Sequence, residues 1–147
     1  MRRLALIGAA GLLIVSASSA FAGTANGIWR ATLTSSGTYH GGATLAELAN
    51  GKSASLAVKL YDAKPGTTVT VTLYDGTTGT GTAITKVGET FKAPAAGPAT
   101  HRFWLTKAQL ATLKVALAAK HPISVSVSAS LGTAPSVVLV GDFKPVK

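Results

Sequence analysis

The amino-acid sequence predicts a mainly β fold, an antiparallel β-sandwich of the Ig-like, Greek-key type, with one amphipathic helix near residues 106–120. Three observations support this prediction. Short segments alternate between apolar and polar residues, as in Thr67–Tyr74, where valines and a leucine alternate with threonines. Glycine, proline and asparagine recur between these segments, as expected for turns between strands. A single segment has the three- and four-residue apolar spacing of a helix.

The first 22 residues have the pattern of a secretory signal peptide. Arg2 and Arg3 precede the apolar run Leu4–Val15, and an A-F-A triplet ends at Ala22. The apolar run is shorter than the roughly 20 residues that a membrane-spanning helix needs. We therefore expect cleavage after Ala22 and export to the periplasm or the extracellular space. The remaining chain, 23–147, is expected to be a single β-sandwich domain without a membrane span.

The composition restricts the classes of chemistry and partner. The chain contains no cysteine, which excludes disulfides, thiolate metal sites and a cysteine nucleophile. Loss of the two leader arginines lowers the count of basic residues from 14 to 12, against 5 acidic ones. This charge favours anionic partners, but the lysines are scattered singly, which together with export argues against nucleic acid. The expected partner is an anionic envelope polymer or a glycan; the alternative is a basic surface that only keeps the protein in solution.

The first half of the domain is a predicted series of strands joined by turns. Asn50-Gly51 is a strong hairpin signal between two strand segments, and Pro65-Gly66 suits the centre of a type II turn. The glycine-rich segment Asp75–Gly81 is predicted to be a mobile hairpin loop. The predicted strands are Ile28–Thr34, Ala43–Leu48, Ser53–Tyr61 and Thr67–Tyr74, with one or two short strands within Thr82–Ala93.

The second half contains the helix, which has signals at both ends. Thr106 and Gln109 form the T-x-x-Q pattern of a capping box, and Pro122 prevents the helix from continuing. We expect a helix from about Thr106 to Lys120, either as a crossover between strands or as a lid over one open end of the sandwich. The predicted strands around it are Thr100–Leu105, Ile123–Ser130 and Ser136–Phe143, the last two as a pair.

Part of the chain resembles a known family. Leu105-Thr106, Gln109 and Leu113 are followed by the strands ISVSV and VGDF. This order resembles the closing segment of the CHRD (chordin-type) domain, and GGATLAEL with the strands after it resembles that family's opening hairpin. The resemblance covers about Gly41–Phe143 and implies a β-sandwich. The family's histidines and arginine have no counterparts in this chain, so the resemblance implies no metal-binding role. The positions concerned are Thr72, Tyr74, Ser126 or Ser128, and Val140.

The sequence shows no arrangement of residues typical of an enzyme. The G-x-S-x-G nucleophile elbow and the G-x-x-x-x-G-K-[ST] phosphate loop are both absent. We therefore expect a non-enzymatic protein without a cofactor or a metal. The alternative is an exported metal-binding or hydrolytic β-sandwich domain, in which His40, His101 and His121 would be the only plausible nitrogen ligands.

The predicted binding residues combine charge with one exposed aromatic ring. Tyr39, in a glycine-rich loop, offers a stacking face with His40 beside it. Lys107, Lys114 and Lys120 provide positive charge along the helix.

The sequence also predicts where two aromatic side chains face and which strand could pair with another chain. Phe103 and Trp104 should lie on opposite faces of one strand, while packing in the core is expected for both tryptophans, Trp29 and Trp104. The strand Ile123–Ser130 has few charges and could pair with another chain if it lies at a sheet edge.

Overall fold

The computed structural model describes residues 25–35, 39–48, 51–85, 89–131 and 134–147. The predicted signal peptide, residues 1–22, lies outside these ranges. Within them, no helix is long and apolar enough to cross a membrane.

Ten strands and one helix follow one another along the described ranges. The strands are β1 (Ala25–Thr34), β2 (His40–Leu48), β3 (Ala54–Leu60), β4 (Thr68–Asp75), β5 (Thr82–Ala83), β6 (Glu89–Lys92), β7 (Ala99–Trp104), β8 (Ile123–Leu131), β9 (Ala134–Asp142) and β10 (Lys144–Pro145). Helix α1 (Lys107–Ala118) lies between β7 and β8. The predicted mainly β fold with one helix is confirmed, and β10 is an additional strand that the sequence did not predict.

The strands form one antiparallel sheet. Its order is β4, β8, β9, β1, β2, β3, β7, with β5 and β6 both paired to the outer edge of β4 and β10 paired to β1. The predicted hairpin of β2 with β3 and the predicted pair of β8 with β9 are confirmed. The hypothesis that Ile123–Ser130 lies at a sheet edge is wrong, because β8 pairs with β4 on one side and with β9 on the other.

The sheet curls into a half-barrel, so that its two ends, β6 and β7, approach each other. Aromatic rings bridge these two strands. Phe91 of β6 stacks on His101 of β7, with 5.1 Å between the ring centroids, and meets Phe103 edge-on at 6.0 Å. Contacts between side chains, rather than a backbone ladder in the described ranges, therefore hold the two ends together.

Inward-facing side chains from both halves of the curled sheet form one apolar core. Fully buried residues of the two halves include Leu33, Leu45 and Leu56 of β1 to β3, and Leu73, Val125 and Leu139 of β4, β8 and β9. Trp29 packs against this core, as predicted. The helix contributes Leu110, Leu113 and Ala116 to the same core.

Helix α1 begins as the sequence predicts. The Thr106 hydroxyl accepts a hydrogen bond from the Gln109 N–H at 3.2 Å, and the Thr106 N–H donates to Gln109 Oε1 at 2.8 Å. These reciprocal bonds form the capping box. From the third turn, Lys114 donates to the Gly51 carbonyl and lies 3.6 Å from Glu47 Oε1. The helix therefore connects the two halves of the sheet and covers the end at which the β2–β3 hairpin turns.

The helix ends two residues earlier than predicted, in a Schellman motif. The Lys120 N–H donates to the Leu117 carbonyl at 3.0 Å, and the His121 N–H donates to the Ala116 carbonyl at 2.9 Å. Lys120 has a φ of 60°, the left-handed conformation that glycine usually adopts at this position. Lys120 thus follows the helix and closes it through its backbone.

We expect Lys120→Gly to raise the free energy of unfolding by about 1 kcal/mol, because glycine adopts the left-handed conformation without steric strain. Urea unfolding at constant temperature measures this change. Ala111→Gly, at an exposed position inside the helix, is the control and should lower stability by about 1 kcal/mol. A loss of stability in Lys120→Gly as well would contradict the left-handed conformation of Lys120.

Candidate functional site

Outward side chains on one half of the sheet form a continuous surface. Burial alternates along β1 and along most of β2 and β3, although consecutive residues are buried where these two strands approach their turn. Directly paired residues of antiparallel strands lie on the same face. The register aligns five outward positions across β10, β1, β2, β3 and β7, namely Lys144, Arg30, Thr44, Ala57 and Arg102. We call the outward residues of these five strands the basic sheet face.

The centre of the basic sheet face carries short side chains. Its floor consists of the partly exposed residues Gly42 and Thr44 of β2 and Ala57 of β3. The neighbouring outward residues Ala46 and Ser55 are buried. Arg30 and Arg102 border this floor from strands that are three apart in the sheet. Neighbouring strands lie about 4.8 Å apart, which places the two arginine backbones about 14 Å from each other. A broad floor with long side chains at its borders suits an extended partner rather than a small enclosed one.

The borders of the basic sheet face are positively charged. Arg30, Lys59, Arg102 and Lys144 lie there, and no aspartate or glutamate occupies an outward position on these five described strands. Arg30 and Lys144 are direct cross-strand partners, an arrangement of like charges that destabilises a sheet. Within the described ranges, Arg30, Lys59 and Lys144 form no ion pair. Ion pairs within the described ranges therefore do not neutralise the charge of these three residues.

Aromatic rings lie at both ends of the basic sheet face. Trp104, paired with Ser55, is 52% exposed at one end. At the other end Tyr61 is 48% exposed, with Lys59 Nζ 5.0 Å from the ring centroid and the His40 ring 5.1 Å away. The predicted core position of Trp104 is wrong, because the register places this residue on the outer face. The prediction that Phe103 and Trp104 face opposite ways is confirmed, since Phe103 packs against the core.

A groove opens beside the basic sheet face, where β1, β9 and the segment after β4 meet. Its volume is about 340 Å³. The polar and charged residues that line it are Arg30, Thr32, Thr34, Thr78, Asp142 and Lys144. Within the described ranges, no ion pair joins Asp142 to Arg30 or to Lys144. The groove therefore presents two cations and one carboxylate side by side.

The glycine-rich segment Asp75–Gly81 forms one wall of the groove. The Thr78 N–H donates to Asp142 Oδ1 at 2.6 Å, and the Gly79 N–H donates to Ser124 Oγ at 3.0 Å. These bonds hold the segment against the outer face of β8 and β9. The segment joins the antiparallel strands β4 and β5, so the predicted hairpin is confirmed. Acceptors more than forty residues away in sequence bind its backbone.

The three lysines predicted to bind through the helix lie in different local settings. Lys114 binds the β2–β3 hairpin through Gly51 and Glu47. Lys120 lies in the turn that closes the helix, and its backbone supplies one of the closing bonds. Lys107 is exposed in the first helical turn. Of the three, Lys114 thus contacts the hairpin, and the binding role of these lysines stays a prediction.

The other two predicted site residues are separated by the alternation of strand β2. Tyr39 is half-buried and packs against the core, so the prediction of an exposed stacking ring at this position is wrong. His40 is exposed and belongs to the basic sheet face, next to Tyr61. The exposed rings are instead Tyr61 and Trp104.

The three histidines lie in three different settings. His40 neighbours Tyr61, His101 stacks on Phe91, and His121 Nδ1 lies 3.1 Å from both carboxylate oxygens of Asp75. In the described ranges, no three histidine, aspartate or glutamate side chains form a group that could hold a metal ion.

The sequence analysis did not predict a binding role for the arginine and lysine residues of the strands, although the sequence contains one signal for their position. Arg30 and Lys59 both occupy polar positions of alternating strands. Alternation alone assigns them to the outer face, but only the register shows that they and Lys144 share one surface.

Comparison with known proteins gave no match to a family model, a curated protein or a solved structure. The resemblance to the CHRD domain therefore stays a prediction.

Proposed function

We propose that this protein is an exported, non-enzymatic binding module of the cell envelope, whose basic sheet face contacts an anionic polymer or an acidic glycan. The observation that carries the proposal is that Arg30, Lys59 and Lys144 form no ion pair within the described ranges, and that the like charges of Arg30 and Lys144 are adjacent. An anion that lies between these two residues relieves their mutual repulsion.

The shape of the face supports a polymer as the partner. The short side chains of Gly42, Thr44 and Ala57 leave room for an extended chain, and cations border this floor on both sides. Trp104 and Tyr61 lie at the two ends of the floor, where sugar rings can stack on them. We also infer that the two halves of the curled sheet face each other as the layers of a β-sandwich, because both contribute to one core.

Neutralising three cations of the basic sheet face tests this proposal. We expect Arg30→Gln, Lys59→Gln and Lys144→Gln together to weaken binding to soluble polygalacturonate at least tenfold at low salt, because each lost cation removes an attraction to the polymer. The matched control combines Lys64→Gln, Lys92→Gln and Lys107→Gln, which removes the same charge from exposed positions elsewhere. Fluorescence anisotropy with labelled polymer measures both variants.

The proposal also predicts how salt and polymer charge affect the wild-type protein. Binding should weaken steeply with ionic strength, and uncharged dextran should bind far more weakly than polygalacturonate. Equal losses in the triple variant and in its control would show that only net charge matters, which would contradict a specific face. No binding of wild-type protein at low salt would overturn the proposed function.

A further inference from the structure

We infer that the groove beside the basic sheet face binds a single sugar unit that carries a carboxylate, of the uronic-acid type. This inference rests on the proposed function and assigns the ligand class to one part of that surface. Its argument uses the charges of the groove, its hydroxyl groups and the way its wall is fixed.

The two cations of the groove suit one carboxylate. Arg30 and Lys144 are cross-strand partners, so their side chains leave the sheet next to each other on the same face. A guanidinium can bind a carboxylate with two parallel hydrogen bonds, and an adjacent ammonium adds a point charge. Because neither cation is paired with Asp142 in the described ranges, both can face a bound ligand.

Asp142 distinguishes a sugar acid from a simple anion. Its Oδ1 accepts the Thr78 N–H, whereas its Oδ2 has no protein donor within the described ranges. A carboxylate repels small anions but accepts hydrogen bonds from hydroxyl groups. A ligand that carries both a carboxylate and neighbouring hydroxyls therefore satisfies all three charged groups, and a bare anion does not.

The remaining lining residues are also suited to a polyhydroxylated ring. Thr32 and Thr34 of β1 and Thr78 of the wall bring hydroxyls that can both donate and accept hydrogen bonds. The volume of about 340 Å³ lies at the lower end of the range of small-molecule sites, which suits one ring rather than an oligomer.

The wall of the groove is fixed at some conformational cost. Thr78 has a φ of 49°, a left-handed conformation that is unusual for a β-branched residue. The hydrogen bonds of Thr78 and Gly79 to Asp142 and Ser124 maintain this conformation. They hold Thr78 at the groove and orient Asp142 in the same contact, so the position of both side chains is set before a ligand binds.

Titration of the full chain, isotopically labelled, with sodium galacturonate followed by amide NMR tests the inference. We expect the amides of Thr78 and Asp142 to shift with half-saturation at about 1 mM, the affinity expected of a ligand of this size. Galactose lacks the carboxylate and acetate lacks the hydroxyls, so each should bind at least about tenfold more weakly. Acetate binding equal to galacturonate binding, or groove amides that do not respond to galacturonate, would overturn the inference.

Two variants and one control test whether Arg30, Lys144 and Asp142 are the residues that bind galacturonate. Arg30→Gln with Lys144→Gln should weaken galacturonate binding by about tenfold or more, whereas Lys64→Gln with Lys107→Gln should leave it unchanged. Asp142→Asn keeps an acceptor for the Thr78 N–H but removes the charge, so acetate should bind more tightly and the preference for galacturonate should fall. An unchanged preference in Asp142→Asn would contradict the role of this carboxylate.

The same samples separate this inference from the proposed function. If polygalacturonate shifts amides of the basic sheet face but galacturonate shifts none in the groove, only the inference fails. If neither the polymer nor the single sugar causes shifts, both fail.

Discussion

Gly41→Ala is expected to lower the free energy of unfolding by about 3 kcal/mol, since it overpacks a tightly paired position in the sheet. Gly41 faces the core on β2, opposite Leu60 of β3. A methyl group at this position would collide with the backbone carbonyl oxygen of Lys59 and would lie 2.9 Å from Leu60 Cδ2. Backbone cannot move aside as a flexible side chain can, so β2 and β3 would have to separate locally. Urea unfolding with two-state analysis measures the loss.

The neighbouring glycine provides the control. Gly42 points to the basic sheet face, and an added methyl group would meet only the Ala31 carbonyl oxygen, at 3.9 Å. Gly42→Ala should therefore be neutral, or stabilising by about 0.5 kcal/mol, because alanine loses less backbone entropy than glycine on folding. If Gly42→Ala were as destabilising as Gly41→Ala, the assignment of inner and outer faces on β2 would be wrong, and the basic sheet face with it.

Phe91→Ala is expected to lower the free energy of unfolding by about 3 to 4 kcal/mol, the usual cost of removing a buried phenylalanine. The Phe91 ring is only 9% exposed and contacts both His101 and Phe103 across the gap between β6 and β7. Its loss would remove apolar burial and open the place where the two ends of the curled sheet meet. Thermal unfolding followed by circular dichroism measures the change.

Phe91→Leu separates the contribution of apolar burial to stability from the contribution of the contacts between aromatic rings. Leucine keeps most of the buried volume but loses the aromatic pairs, so we expect a smaller loss of about 1 to 1.5 kcal/mol. A cost below about 1 kcal/mol for Phe91→Ala, far under the normal range for such a residue, would show that this ring does not hold β6 against β7.

Local signals in the sequence predicted most of the secondary structure correctly. The alternation in Thr67–Tyr74 corresponds to β4, and the turn signal at Asn50-Gly51 corresponds to the confirmed β2–β3 hairpin. The capping residues Thr106 and Gln109 define the start of α1. These features depend on residues a few positions apart, which the sequence displays directly.

Features that depend on distant residues were not predictable in the same way. The segment after β4 is held by Ser124 and Asp142, and Arg30 meets Lys144 across a ladder that joins opposite ends of the domain. The sequence gives no register for such pairs, whereas the spacing of the helix lysines is local and can be read from the sequence directly. In the structure Lys114 binds the hairpin, and the cross-strand pair of Arg30 and Lys144 places further positive charge on the strands.

The most direct test of the basic sheet face uses the absence of cysteine from the chain. Ala57→Cys places one thiol on the floor of the face, and Ala111→Cys places one on the exposed side of α1. The rate at which a small thiol reagent modifies each variant is measured with and without polygalacturonate. We predict that the polymer slows modification of Ala57→Cys at low salt, that high salt removes this protection, and that Ala111→Cys is unaffected. Protection of Ala111→Cys alone, or of neither variant, would contradict the assignment of the binding surface to the sheet.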